Sequence, residues 1–166
     1  MEKLTVIAIE KSGDLPEYID KAYIDSQQMG IQKHLQNVTE IENPPYTMFA
    51  VYAFINKRIV GNANFVKTVF DQDNLDNDEE YYYGWLGVDE DMRRKGIGQK
   101  IIETGIEHLR AKGTKKLFAY IHKDNIASLN LHKKLLFQLS DNQEPVTMLS
   151  NIYTLPEGEA VYERTV

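Results

Sequence analysis

Arg93-Arg94-Lys95-Gly96-Ile97-Gly98 stands between a strand-like segment, Tyr81 to Val88, and a stretch whose apolar residues Ile97, Ile101, Ile102, Ile106 and Leu109 recur at helical spacing. A chain with this order must leave a strand, turn sharply and start a helix within a few residues. Glycines at 96 and 98 allow the tight turn and let backbone approach a ligand closely. Main-chain N–H groups from about Arg94 to Gln99 then converge at a helix N-terminus, where phosphate oxygens bind. Arg93, Arg94 and Lys95 add positive charge, or are plain surface cations.

Two other phosphate loops do not fit. A Walker-type loop needs Gly, four residues, then Gly-Lys-Ser/Thr, and no such string occurs. A dinucleotide fingerprint needs a third glycine where this chain has Ile101. What remains, Arg/Gln-x-x-Gly-x-Gly after a strand, resembles the acyl-CoA pyrophosphate loop of the GNAT N-acetyltransferase superfamily. Downstream, Asn125-x-x-Ser128-x-x-Leu131-His132-x-x-Leu135-x-Phe137 resembles that family's second signature, with two departures. His132 stands where the family usually has Tyr, and Leu136 where it usually has Gly before the Phe.

The resemblance implies an α/β, single-domain GNAT-like fold over residues 1–166, with a mixed central β-sheet flanked by helices. It implies an enzyme that moves acetyl from acetyl-CoA, as co-substrate, directly to a primary amine, with no metal and no covalent intermediate. It places pantetheine alongside Leu86, Gly87 and Val88, where the amides can pair like an added strand. The pyrophosphate falls to Arg93, Arg94, Lys95, Gly96, Ile97, Gly98 and Gln99. Asn125 either bonds the cofactor or caps a helix, and Ser128 is small for packing or cofactor clearance.

His132 is the candidate general acid, since neutral imidazole keeps one N–H donor; its alternative is a polar helix residue with no catalytic part. For the general base, Glu79, Glu80, Asp89 and His122 all lie near ends of expected strands, and no spacing selects one; Glu80 is carried as the weak candidate. A positioned water chain is a further option. Tyr81, Tyr82, Tyr83 and Trp85 either shape an acceptor pocket or fill core and surface. The rival reading is a non-catalytic acyl-CoA-binding or sensing domain of the same fold, which has lost its proton-transfer groups.

A chain of 166 residues with 42% hydrophobic and 27% charged residues builds one ordinary domain. Without cysteine there is no disulfide, thiolate nucleophile or Cys-based zinc site, which suits the cytoplasm. The longest apolar run, Met48 to Ile55, is far too short to span a bilayer. A net charge of −6 with no basic stripe argues against nucleic acid. Between Thr68 and Met92 there are nine Asp/Glu and no Lys/Arg. Asp71, Asp73, Asp76, Asp78, Glu79 and Glu80 are either a negative rim for a cationic acceptor or a solvated loop. The partners expected are a small-molecule or peptide amine, with neither nucleic acid nor membrane; a homodimer is left open.

Strands are expected at Leu4 to Ile9, Thr47 to Ile55, Ile59 to Phe70, Tyr81 to Val88, Lys116 to Ile121 and Ala160 to Val166. Two amphipathic helices precede Pro44-Pro45, carrying Leu15 to Tyr23 and Ile31 to Ile41. The helix after the loop stops near Gly113, and a last helix, capped by Asp124 or Asn125, runs to about Lys134. Pro145 to Glu157 remains ambiguous.

Overall fold

The computed structural model describes residues 3–10, 14, 16, 17, 48–67, 80–144, 146–148, 151–153 and 155–166. The residues carrying the two early helices, the acidic stretch from Thr68 to Glu79 and the Trp85 side chain lie outside the described residues. In chain order come β1 (Leu4–Ile9), β2 (Met48–Ile55), β3 (Arg58–Lys67), β4 (Glu80–Val88), a 3-10 turn (Glu90–Met92) and α1 (Ile97–Ala111). There follow β5 (Lys116–His122), α2 (Ile126–Lys134), β6 (Gln138–Leu139), β7 (Val146–Met148), β8 (Asn151–Tyr153) and β9 (Glu159–Thr165). The ambiguous segment therefore holds a short hairpin, β7 against β8.

Seven strands form one sheet in the order β1-β2-β3-β4-β5-β9-β6. All neighbours are antiparallel except β4 and β5, which α1 joins as a parallel crossover. Ile55 pairs with Arg58, so the β2–β3 turn is only Asn56-Lys57 and Arg58 opens β3. Asn56 takes the left-handed backbone, φ 55°, that this turn requires and Asn tolerates.

Ile97, Ile101, Ile102, Ile106 and Leu109 are buried on one face of α1, which packs across β1 to β4. Each such side chain contributes about 1.5–3 kcal/mol by leaving water. Gly105 on the same face lets the Phe65 ring reach the helix: a Cβ there would stand 2.1 Å from Phe65 Cζ. At the helix end Gly113 is left-handed, φ 80°, and Thr114 N–H closes on the Leu109 carbonyl at 3.1 Å. Glu10, just past β1, holds the last turn of α1 through Lys112 Nζ at 2.6 Å and His108 Nε2 at 2.9 Å.

Candidate active site

The parallel pairing of β4 with β5 ends early. Glu80, Tyr81 and Tyr82 face Lys116, Leu117 and Phe118, and no later residue of β4 pairs with β5. A cause lies on the other edge of β4. Asn64 pairs with Gly84 and Asn62 with Gly87, so Trp85 and Leu86 oppose the single residue Ala63. Such a bulge bends the strand that carries it. Beyond Tyr82, β4 and β5 thus diverge and a cleft of about 880 Å³ opens at their carboxyl ends. Crevices at this position are where open α/β sheets take ligands.

One wall of the cleft is the loop between β4 and α1. Arg58, at the start of β3, grips its approach: the guanidinium meets Asp89 at 2.6 Å and Asp91 in a forked pair at 2.9 and 3.0 Å. Those hydrogen bonds hold the Asp91 carboxyl below its ordinary range. Arg93 Nε donates to the Val88 carbonyl at 3.1 Å, folding the loop back onto β4. Arg94 and Gly96 are both left-handed, φ 60° and 78°. A non-glycine residue held there costs of order 1 kcal/mol and marks a backbone shaped for more than connection.

The helical ladder starts with Lys100 N–H on the Gly96 carbonyl at 3.1 Å. The N–H groups of Ile97, Gly98 and Gln99 therefore lie ahead of it, and the N-cap, Gly96, has no side chain to satisfy them. Gly98 sits deeper, where a Cβ would touch Leu86, Val88 and Leu131 at 3.8 Å.

Of the residues expected at a cofactor site, Leu86, Gly87, Val88, Arg93, Arg94, Gly96, Ile97, Gly98, Gln99, Asn125, Ser128 and His132 all line this cleft. Lys95 does not; it is exposed, with Nζ 3.6 Å from Met92 Sδ. Asn125 caps α2, its side chain accepting from Ser128 N–H at 3.1 Å.

His132 is 4% exposed and lies between Tyr83 and Phe137, stacked on the first and edge-on to the second. Its Nδ1 is 2.7 Å from the Ser128 carbonyl, which can only accept, so Nδ1 carries the proton. Nε2 is then a lone pair and accepts from the Tyr83 hydroxyl. Burial pushes the imidazole below its ordinary pKa, against the opposing pull of the Ser128 carbonyl, so the ring is neutral near pH 7. The expected acid thus has its one proton on the Ser128 carbonyl, and Tyr83, which also lines the cleft, rests with its own hydroxyl proton on His132 Nε2.

None of the candidate bases described in the structure lines the cleft. Glu80 sits level with Lys116, where β4 and β5 are still paired. Asp89 is bound to Arg58, and His122 accepts from Asp124 N–H at 3.1 Å. Glu159, at the start of β9, does line the cleft and is its one carboxylate among the described residues. Glu159 lies in a strand expected only from Ala160 onward, which is why its position carried no signal. Among the described residues no cluster of three or more His, Asp or Glu could hold a metal ion, and no helix is long and apolar enough to cross a membrane.

The sequence profile of the Acetyltransferase (GNAT) family matches residues 14–137. A mycothiol acetyltransferase of Saccharopolyspora erythraea is 36% identical over 52 residues, 31% of this chain and 17% of the relative. An L-methionine sulfoximine/L-methionine sulfone acetyltransferase of Pseudomonas aeruginosa is 37% identical over 59 residues, 36% of this chain and 34% of the relative. The matches thus span about a third or less of these curated relatives. Among solved structures, the PaiA N-acetyltransferase of Thermoplasma acidophilum, crystallised with coenzyme A, superposes with TM-score 0.58 at 14% identity. It covers 89% of this chain and 80% of its own.

Proposed function

From the premise that the chain belongs to the Acetyltransferase (GNAT) family, we propose that it is an acyltransferase moving acetyl from acetyl-CoA directly to a primary amine. The observation that carries this reading is the continuity of the cleft. It runs from the uncapped first turn of α1, flanked by Arg93 and Arg94, into the gap where β4 and β5 part. The first end suits a pyrophosphate, through backbone N–H groups and the helix dipole. The second offers the unpaired edge of β4 to an amide-bearing arm, which can add to it as a strand does. The family's relative crystallised with coenzyme A supports the same cofactor here.

Attack of a neutral amine on the thioester carbonyl gives a tetrahedral adduct with an oxyanion and a cationic nitrogen; the nitrogen loses a proton to water, and the adduct collapses by breaking the C–S bond. The leaving thiolate needs a proton, and in this reading the Tyr83 O–H turns from His132 Nε2 to supply it, the phenol regaining a proton from water. His132 acts as the positioning residue, its Nε2 lone pair orienting the phenol at rest. We place the enzyme, as one domain over residues 1–166, in the cytoplasm, acting on a small-molecule or peptide amine without a metal.

The test is release of free CoA from acetyl-CoA in the presence of a panel of primary amines, with the acetamide identified by mass. Tyr83→Phe lowers kcat at least ten-fold and leaves acetyl-CoA affinity within about two-fold. Acetyl-CoA binding without turnover of any amine would favour the non-catalytic sensing domain, for which the committed proton of His132 is the supporting observation. Unchanged kcat in the Tyr83 variant would remove Tyr83 from the mechanism.

A further inference from the structure

Resting on the acetyl-transfer reading, we propose that Glu159 seats the acceptor as its ammonium ion, so that the enzyme selects cationic primary amines over uncharged ones. The cleft carries charges of both signs. Arg93, Arg94 and Lys134 are its cations, and Glu159 is the one carboxylate lining it among the described residues. A phosphate-bearing cofactor belongs at the cationic end, which leaves the carboxylate facing the other reactant.

The backbone that carries Glu159 is also held in place. Its N–H donates to the Pro156 carbonyl at 3.1 Å, and the Gly158 carbonyl accepts from Lys123 N–H at 2.9 Å. Gly158 is left-handed, φ 81°, and a Cβ there would stand 2.5 Å from His122 Nε2, so this backbone packs directly on the imidazole. No hydrogen bond or ion pair among the described residues engages the Glu159 carboxylate, although most other acids near the site are occupied: Asp89 and Asp91 by Arg58, Glu163 by Lys116.

The register supplies the surroundings. Glu159 pairs with His122 and Val161 with Tyr120, so Tyr120 and Glu159 share one face of the sheet as diagonal neighbours, about 7–8 Å apart. Tyr120 stands edge-on to Tyr82, ring centroids 5.1 Å apart, and both rings line the cleft. A carboxylate beside two tyrosine rings is a setting that recognises an ammonium by charge and by its attraction to aromatic faces. Tyr83 and His132 lie on the opposite face, that of the core against α1. The gap between β4 and β5 joins the two faces, so the acceptor nitrogen, once its ammonium form has lost a proton to water, comes to the thioester from the side opposite the proton donor.

The experiment compares the wild-type chain with Glu159→Gln and Glu159→Asp. Probes are butylamine, cationic at neutral pH, and aniline, which is not; acetyl-CoA affinity and butylammonium binding to the CoA-loaded protein by saturation-transfer NMR are read in parallel. The expected result is that Glu159→Gln weakens butylammonium binding and raises its KM at least ten-fold. Glu159→Asp recovers part of that loss, while acetyl-CoA affinity and the response to aniline stay within two-fold. Equal butylammonium binding in wild type and Glu159→Gln, or none in the CoA-loaded wild type, overturns the proposal while leaving cofactor binding intact. Loss of acetyl-CoA binding by the wild type itself would instead sink the acetyl-transfer reading.

Discussion

Leu136 follows α2 with φ 66°, a left-handed backbone that costs a side chain bearing Cβ about 1–2 kcal/mol, and it is 73% exposed. The resemblance places a glycine here, and the structure shows the reason: the chain must reverse between Leu135, buried, and Phe137, buried against His132. Leu136→Gly relieves the backbone strain, offset in part by the greater freedom of glycine in the unfolded chain, roughly 0.5–1 kcal/mol. A net gain of up to about 1 kcal/mol in denaturant unfolding is expected; a loss of stability would mean that the exposed leucine packs usefully. His132 makes a second prediction. Its folded pKa lies below the unfolded value, so as pH falls through about 6.5 the unfolded chain takes up a proton that the buried ring refuses. The unfolded state then binds more protons, and stability present above that pH is lost progressively as pH drops through the folded pKa. In His132→Phe the slope of stability between pH 7 and 5 should be shallower than in wild type, measured by urea midpoints. The motif identified His132 as the residue that departs from its family, but the direction of its proton was not legible, because the Ser128 carbonyl and the Tyr83 hydroxyl that decide it come from backbone geometry and a distant strand.

Element by element, periodicity served well where one face is buried and poorly where partners decide the boundary. The apolar stripe of α1 was read correctly because burial against β1 to β4 demands a 3.6-residue repeat. The early end of β4–β5 pairing left no trace in the composition, since a bulge is a relation between two strands. Two substitutions test how elements hold the site. In Gly105→Ala the new Cβ meets the Phe65 ring at 2.1, 2.5 and 2.7 Å. Phe65 stacks between Phe49 and Tyr83, so it has no open side to move into. Overpacking of this kind costs about 1–3 kcal/mol, read as a lower midpoint in thermal or denaturant unfolding. Arg58→Ala acts differently. Its ion pairs with Asp89 and Asp91 are surface contacts and carry little stability, yet they fix the turn from which the loop before α1 departs. The expected outcome is an unfolding midpoint close to wild type with acetyl-CoA affinity reduced several-fold; unchanged affinity would show that Arg93 on Val88 alone holds the loop.

At the scale of the whole molecule, the sheet opens between its β1 to β4 half and the β5-β9-β6 half, and the turn before α1 lines the same cleft. In the acetyl-transfer reading, the ligand that spans both carries a pyrophosphate and a long amide-bearing arm. ATP and NAD would present phosphates to the turn but have nothing to add along β4, whereas CoA and acetyl-CoA would engage turn and gap together. A ligand that binds only the native state raises its stability by RT ln(1 + [L]/Kd), about 2.7 kcal/mol at one hundred times Kd. For a domain of this size 1 kcal/mol moves the midpoint by roughly 2–4 °C. Acetyl-CoA and CoA at saturating concentration should therefore raise the thermal midpoint by about 5–10 °C, with ATP and NAD at equal concentration shifting it far less. Gly98→Val distinguishes the two parts of the cleft, because its side chain would project among Leu86, Val88 and Leu131. That variant should stay folded and lose most of the acetyl-CoA shift. If it keeps the shift, or if ATP matches acetyl-CoA in wild type, the turn binds phosphate by itself and the gap between β4 and β5 belongs to another ligand.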